Sequence, residues 1–203
     1  MELFTLSDVH YEIMREIGNI GCGHAVSALS KMLNKKVGMK VPQVKLLEFG
    51  NVAGFVGGPE NTIISIFIGI SGEINGMILF LTEQPSARVL VNMVFGTPKN
   101  TELSFSEMEL SAIQEIGNIM CSSYLSSFAS LISKSISQSV PDMSIDMAGA
   151  ILSVPAIEFG KIAEHVLFIE SVFSTETDNV SGYFVLVPDL PSFKKIMSAL
   201  GVD

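Results

Sequence analysis

Glu16 and Asn19 stand three residues apart in Glu16-Ile17-Gly18-Asn19-Ile20, and the same five residues return as Glu115-Ile116-Gly117-Asn118-Ile119. Residues three apart are neighbours on a helix, so each copy sets a carboxylate beside an amide. Other chemistries are poorly supplied. Ser111 has no adjacent His to activate it, and His10, His24 and His165 do not form a metal-spaced set. Cys22 and Cys121 are too few for a structural zinc site and read as small core thiols. No Gly-x-x-x-x-Gly-Lys phosphate loop is present. What remains is positioning. An amide can orient a water, which suffices when the substrate is already activated and brings its own metal and charges; phosphoryl transfer is chemistry of that kind. The carboxylate would repel a phosphate that it faced directly and is better used on a partner's lysine. The same spacing also fits an ordinary solvated helix face.

Helical geometry extends each pair into a row. Positions i, i+4 and i+7 share a face, which aligns Glu12, Glu16 and Asn19 in one copy and Ser111, Glu115 and Asn118 in the other. Ile17, Ile20, Ile116 and Ile119 then turn toward a core. Gly18 and Gly117 lie beside the polar rows. A mid-helix glycine costs about 1 kcal/mol against alanine. Its recurrence points either to a partner backbone coming close or to tight packing between the two helices, and both readings stay open.

The elements that must hold these rows repeat as well. Cys22 pairs with Cys121 and Pro42 with Pro141 at the same 99-residue offset, so the chain reads as an internal duplication. In the first half (1–96), Ser7 or Asp8 caps a helix from near Val9 to about Leu33, with Ile13, Ile17, Ile20 and His24 on one face. A strand over 41–47, a glycine-rich loop or short helix over 49–58, a hairpin of strands 62–70 and 75–82, and a helix from Pro85 to Gly96 follow. The polar stretch 97–105 links the halves. In the second half (106–203), Ser106 and Glu109 form a capping box ahead of a helix to about Lys134. A strand at 140–147, a stretch 149–162 with room for a short helix, strands 165–173 and 182–187 around a polar loop, and a last helix opened by Pro191 complete it. The helices opened by Pro85 and Pro191 lie 106 apart, so the second half carries extra residues after Pro141. The predicted fold is α+β: one shared globular domain of pseudo-twofold symmetry, with helices packed on a mainly antiparallel six-stranded sheet.

Composition narrows the partners. A net charge of −9 argues against nucleic acid and anionic membrane, both of which need clustered Lys and Arg. At 48% hydrophobic and 16% charged residues, the chain is not a disordered one. No apolar run reaches the length of a membrane span, and the start lacks a basic stretch followed by an apolar one, so a cytoplasmic location is expected.

The repeated spacing resembles the signature of the CheC/CheX/FliY family of chemotaxis phosphatases: Asp or Ser, three residues, Glu, two residues, Asn, twenty-two residues, Pro. Ser111, Glu115, Asn118 and Pro141 match throughout, as do Glu16, Asn19 and Pro42; Glu12 departs, standing where Asp or Ser is wanted. Within the family, a CheX-type chain is shorter with one motif, and the FliY type adds a switch domain and an N-terminal partner peptide. A two-motif chain of this length fits the CheC type.

The resemblance implies the CheC-like fold and hydrolysis of the aspartyl phosphate of the response regulator CheY-P. Asn19 or Asn118 would enter the regulator's site and align the attacking water. Glu16 or Glu115 would bond to its lysine, and Glu12 and Ser111 would sit at the edge of the contact. Mg²⁺ would come from the regulator, with no cofactor or metal of the chain's own. The family also implies binding of the receptor deamidase CheD, through residues 144–150 and the short helix after them, with Asp146 as the foremost contact. A monomer is expected, because two sites already share one chain. The alternative is a non-catalytic CheD-binding, phospho-CheY-sensing adaptor or a component of the flagellar switch.

Overall fold

The computed structural model describes residues 8–33, 38–97, 100–159, 165–174 and 179–201. The first half runs α1 (Asp8–Leu33), β1 (Gly38–Glu48), a 3-10 turn (Phe49–Asn51), α2 (Val52–Phe55), β2 (Thr62–Gly72), β3 (Gly76–Glu83) and α3 (Gln84–Phe95). The second runs α4 (Glu107–Leu131), β4 (Ile136–Gln138), β5 (Asp142–Met147), α5 (Ala148–Phe159), β6 (His165–Ser174), β7 (Asn179–Pro188) and α6 (Leu190–Ala199). The expected element order is present in both halves, and the last hairpin's strands reach further into the expected loop, to Ser174 and from Asn179.

The strands join in one antiparallel sheet, β1-β6-β7-β3-β2, with β4 and β5 both on the outer side of β2. The sheet has seven strands rather than six, and proline chemistry explains the extra one. A proline has no N–H for a ladder. The strand expected over 140–147 appears as β5, beginning after Pro141, while a further short strand, β4, pairs with β2 before the proline, and Ser139 bridges the gap: its hydroxyl accepts from the Gly69 N–H at 2.9 Å and its own N–H donates to the Gly69 carbonyl at 3.0 Å. At the matching place in β1 the register against β6 slips between Lys40 and Gln43.

The halves exchange edge strands. β1 of the first half pairs with β6 of the second, β5 of the second pairs with β2 of the first, and β3 pairs with β7 between them. Both faces are covered. On one, Ile64, Ile66, Ile78 and Phe80 of the sheet pack under α1, α3, α4 and α6. On the other, Ile63, Leu79, Phe168 and Val185 pack under α2 and α5. β3 is therefore buried along nearly its whole length. The helices that carry the repeated motif, α1 and α4, thus rest on a sheet buried on both faces. The connection between the halves is tied down by buried Arg88, which donates to the carbonyls of Glu102 and Ser104, pairs with Glu109, and lies over the Phe105 ring.

Candidate active site on two helix faces

α4 forms where its start and its stripe dictate. Ser106 Oγ accepts from the Glu109 N–H, and the Glu109 carboxylate accepts from the Ser106 N–H at 2.7 Å, completing the capping box. Ile113, Ile116, Met120, Cys121, Tyr124 and Phe128 form the buried stripe. The opposite stripe carries Ser111, Glu115, Asn118 and Ser122, at i, i+4, i+7 and i+11. Ser111 and Glu115 are exposed and make no hydrogen bond or ion pair with any described residue. Asn118 is half-buried. The Ser122 hydroxyl faces its Oδ1 at 3.4 Å and donates to Gln138 Oε1 of β4 at 2.8 Å. One turn earlier, Gln114 Nε2 donates to the Pro141 carbonyl at 2.8 Å, so the motif helix and the motif proline are physically joined.

α1 presents the matching row. Glu12, Glu16 and Asn19 are all exposed, without a hydrogen bond to any described residue. Among its described side chains the buried ones are Gly21, Ala25 and Leu29, one turn apart. Two expectations are corrected here. Ile20 is 48% exposed and His24 is also exposed, because the packed face runs along the Gly21 row rather than through Ile20 and His24. On α4, Ile116 is buried and Ile119 half-buried. The side chains of Ile17, Gly18, Cys22 and Pro42 lie outside the described ones.

The glycine expectation is corrected too. Gly117 is buried, and a Cβ there would come 2.7 Å from Ile66 Cγ1 of β2, so it faces the sheet rather than a visiting partner or the other long helix. Close approach between α1 and α4 falls to Gly21, whose added Cβ would lie 3.0 Å from Tyr124 Cα. Cys121 is buried, and burial pushes its thiol far up. Among the described residues no His, Cys, Asp and Glu side chains gather into a metal site. No described helix is long and apolar enough to cross a membrane.

Asp146 is exposed on β5, an edge strand, and its Oδ1 accepts from the Met147 N–H at 2.7 Å. Ile145, Met147, Val154 and Ile157 give the same corner exposed apolar surface. It stands apart from the two polar rows, as β5 follows the proline break and α5 packs on the opposite face of the sheet from α1 and α4.

Comparison with known proteins bears on these rows. The model of the CheC-like family matches residues 13–46 and 108–145, the two segments that hold Glu16, Asn19, Ser111, Glu115, Asn118 and both prolines. The CheY-P phosphatase CheC of Bacillus subtilis is 34% identical over 208 residues, covering 100% of both chains. The chain belongs to the CheC-like family. A second relative, the flagellar motor switch phosphatase FliY of B. subtilis, is 31% identical over 69% of this chain but only 36% of its own length. In fold, the crystal structure of Thermotoga maritima FliY superimposes with a TM-score of 0.76 at 21% identity, over 97% of this chain and 98% of that one.

Sequence reasoning passed over Ser122, Gln138 and Gln114. Ser122 was within reach, since it continues the Ser111-Glu115-Asn118 stripe by one turn. Gln138 and Gln114 were not, because their partners are brought to them only by the strand break at Ser139–Pro141.

Proposed function

We propose that this chain is a phosphatase for the aspartyl phosphate of a CheY-type response regulator, acting through both long helices. The observation that carries the reading is the pair of outward Glu-x-x-Asn rows, on α1 and α4, each offering an exposed carboxylate beside an amide. The full-length relative named as a CheY-P phosphatase supports the substrate class.

In this mechanism the regulator brings the phosphoryl group and Mg²⁺. Glu16 or Glu115 bonds to a lysine beside the acyl phosphate and fixes the docking; Glu12 and Ser111 border the contact. Asn19 or Asn118 enters the regulator's site and holds a water in line with the scissile bond. The water oxygen bonds to phosphorus, the bond from phosphorus to the aspartyl oxygen breaks, and the aspartate leaves as a carboxylate. A carboxylate is a good leaving group, so no general base is assigned to either Glu. The gain comes from positioning, the main resource of phosphoryl transfer. A regulator labelled with ³²P on its aspartate, incubated with and without this protein, tests the reading. Faster loss of label is expected, and an unchanged lifetime would leave the adaptor or switch-component role.

A second surface fits the CheD contact. Among the described residues the outer edge of β5 is unpaired, Asp146 is exposed on that strand, and Ile145, Met147 and Ile157 lend apolar area. Asp146→Lys is expected to abolish co-elution with CheD while leaving basal phosphate loss unchanged. Co-elution that survives the substitution would remove Asp146 from that role.

A further inference from the structure

We infer that Ser122 and Gln138 are positioning residues that set the Asn118 amide, and that this device makes the site on α4 unlike the site on α1. The inference rests on the phosphatase reading above and adds to it the groups that aim the amide.

The α4 serines provide the contrast. Ser123, Ser126, Ser127 and Ser130 each donate to the carbonyl four residues back, the usual local habit of a helical serine. Ser122 does not. Its hydroxyl turns along the polar stripe and shares its one proton between Gln138 Oε1 at 2.8 Å and Asn118 Oδ1 at 3.4 Å. Gln138 is in turn fixed by the sheet: it pairs with Ile70, and the next residue, Ser139, is held to Gly69 in both directions. A chain of contacts therefore runs from the ladder of β2 through Gln138 and Ser122 to the amide. Asn118 Oδ1 is the second, longer acceptor of the Ser122 proton, and Nδ2 has no partner among the described residues.

The α1 copy lacks these groups. At the 99-residue offset Gly23 stands for Ser122 and Met39 for Gln138. Asn19 is exposed without a hydrogen bond to a described residue, and a Cβ at Gly23 would meet nothing within 4 Å. An amide already held near its working orientation loses less rotamer freedom on docking, and catalysis that works by alignment gains from that.

The test uses the full chain. With Asn19→Ala removing the α1 site, Ser122→Ala is expected to lower kcat about fivefold, the scale of one net hydrogen bond, with KM nearly unchanged. Ser122→Thr, which keeps the hydroxyl, restores the rate, and Gln138→Leu lowers it in the same direction, because a Ser122 hydroxyl no longer held by Gln138 falls back to the carbonyl four residues earlier. Independently of turnover, ¹⁵N relaxation of the side-chain amides in the otherwise unaltered protein should show Asn118 more ordered than Asn19, with the difference lost in Ser122→Ala. Equal order in the two amides, or an Asn118 amide unmoved by Ser122→Ala, would overturn the inference. If neither Asn19→Ala nor Asn118→Ala slows phosphate loss, the phosphatase reading fails, and the amide relaxation still decides the positioning.

Discussion

Gly117 and Gly23 are both mid-helix glycines, yet their surroundings give them opposite roles. Any side chain at Gly117 must displace Ile66, a buried sheet residue. Gly117→Ala is therefore expected to destabilise by about 1–3 kcal/mol, the range for overpacking a filled core, despite alanine's better helix propensity. Gly23 opens on empty space, and Gly23→Ala is expected to stabilise by about 0.5–1 kcal/mol. Urea unfolding of the two variants checks both signs, and equal signs would contradict the account. Sequence could place both glycines on helices but not tell them apart, since helical phase alone does not reveal which neighbour lies across the interface. For the same reason Glu16, Asn19, Glu115 and Asn118 were legible as an outward row, whereas the exposure of Ile20 was not.

At the scale of elements, the start of α4 depends on one buried cation. Arg88 binds Glu109 and two carbonyls of the connecting segment. Arg88→Met removes the pair and leaves those carbonyls without their donor; because Glu109 is only half-buried and water can reach it, a loss of about 1–3 kcal/mol is expected. The Arg88 guanidinium, then the Ser106 N–H, hold the Glu109 carboxyl below its usual range. A lowered folded pKa stabilises at pH above the ordinary carboxyl value, and that contribution is lost as pH falls through the lowered one. The Ser135 N–H and Lys134 lower Glu73 in the same sense, joining the β2–β3 turn to the segment after α4. Acid unfolding of Arg88→Met should accordingly show a shallower loss of stability below the ordinary carboxyl range than the unaltered chain; an unchanged slope would refute the linkage. The capping box was readable from Ser106 and Glu109 because it is local. The Arg88 clasp was not, because its partners lie 14 to 21 residues away.

For the whole molecule, the duplication was plain from the repeated pentapeptide and prolines, but the exchange of edge strands was not. A repeat shows that two halves match; it does not show which hairpin an edge strand chooses. Among the described residues β1 pairs with β6 alone, and β5 with β2 alone, so neither half completes a sheet by itself. A chain of residues 1–96 is expected to remain unfolded by circular dichroism, and the full protein to unfold in a single transition by two independent probes. Separate transitions, or an independently folded half, would contradict this.

The same symmetry places a carboxylate and an amide on each of two long helices over one platform, and the functional account stands on those amides. The most direct measurement is the lifetime of ³²P-labelled aspartyl phosphate on the regulator with the Asn19→Ala/Asn118→Ala protein, alongside regulator affinity. The account predicts that acceleration disappears while affinity stays within about threefold, because water alignment is lost and docking through Glu16 and Glu115 is kept. Acceleration that persists in the double variant would contradict it.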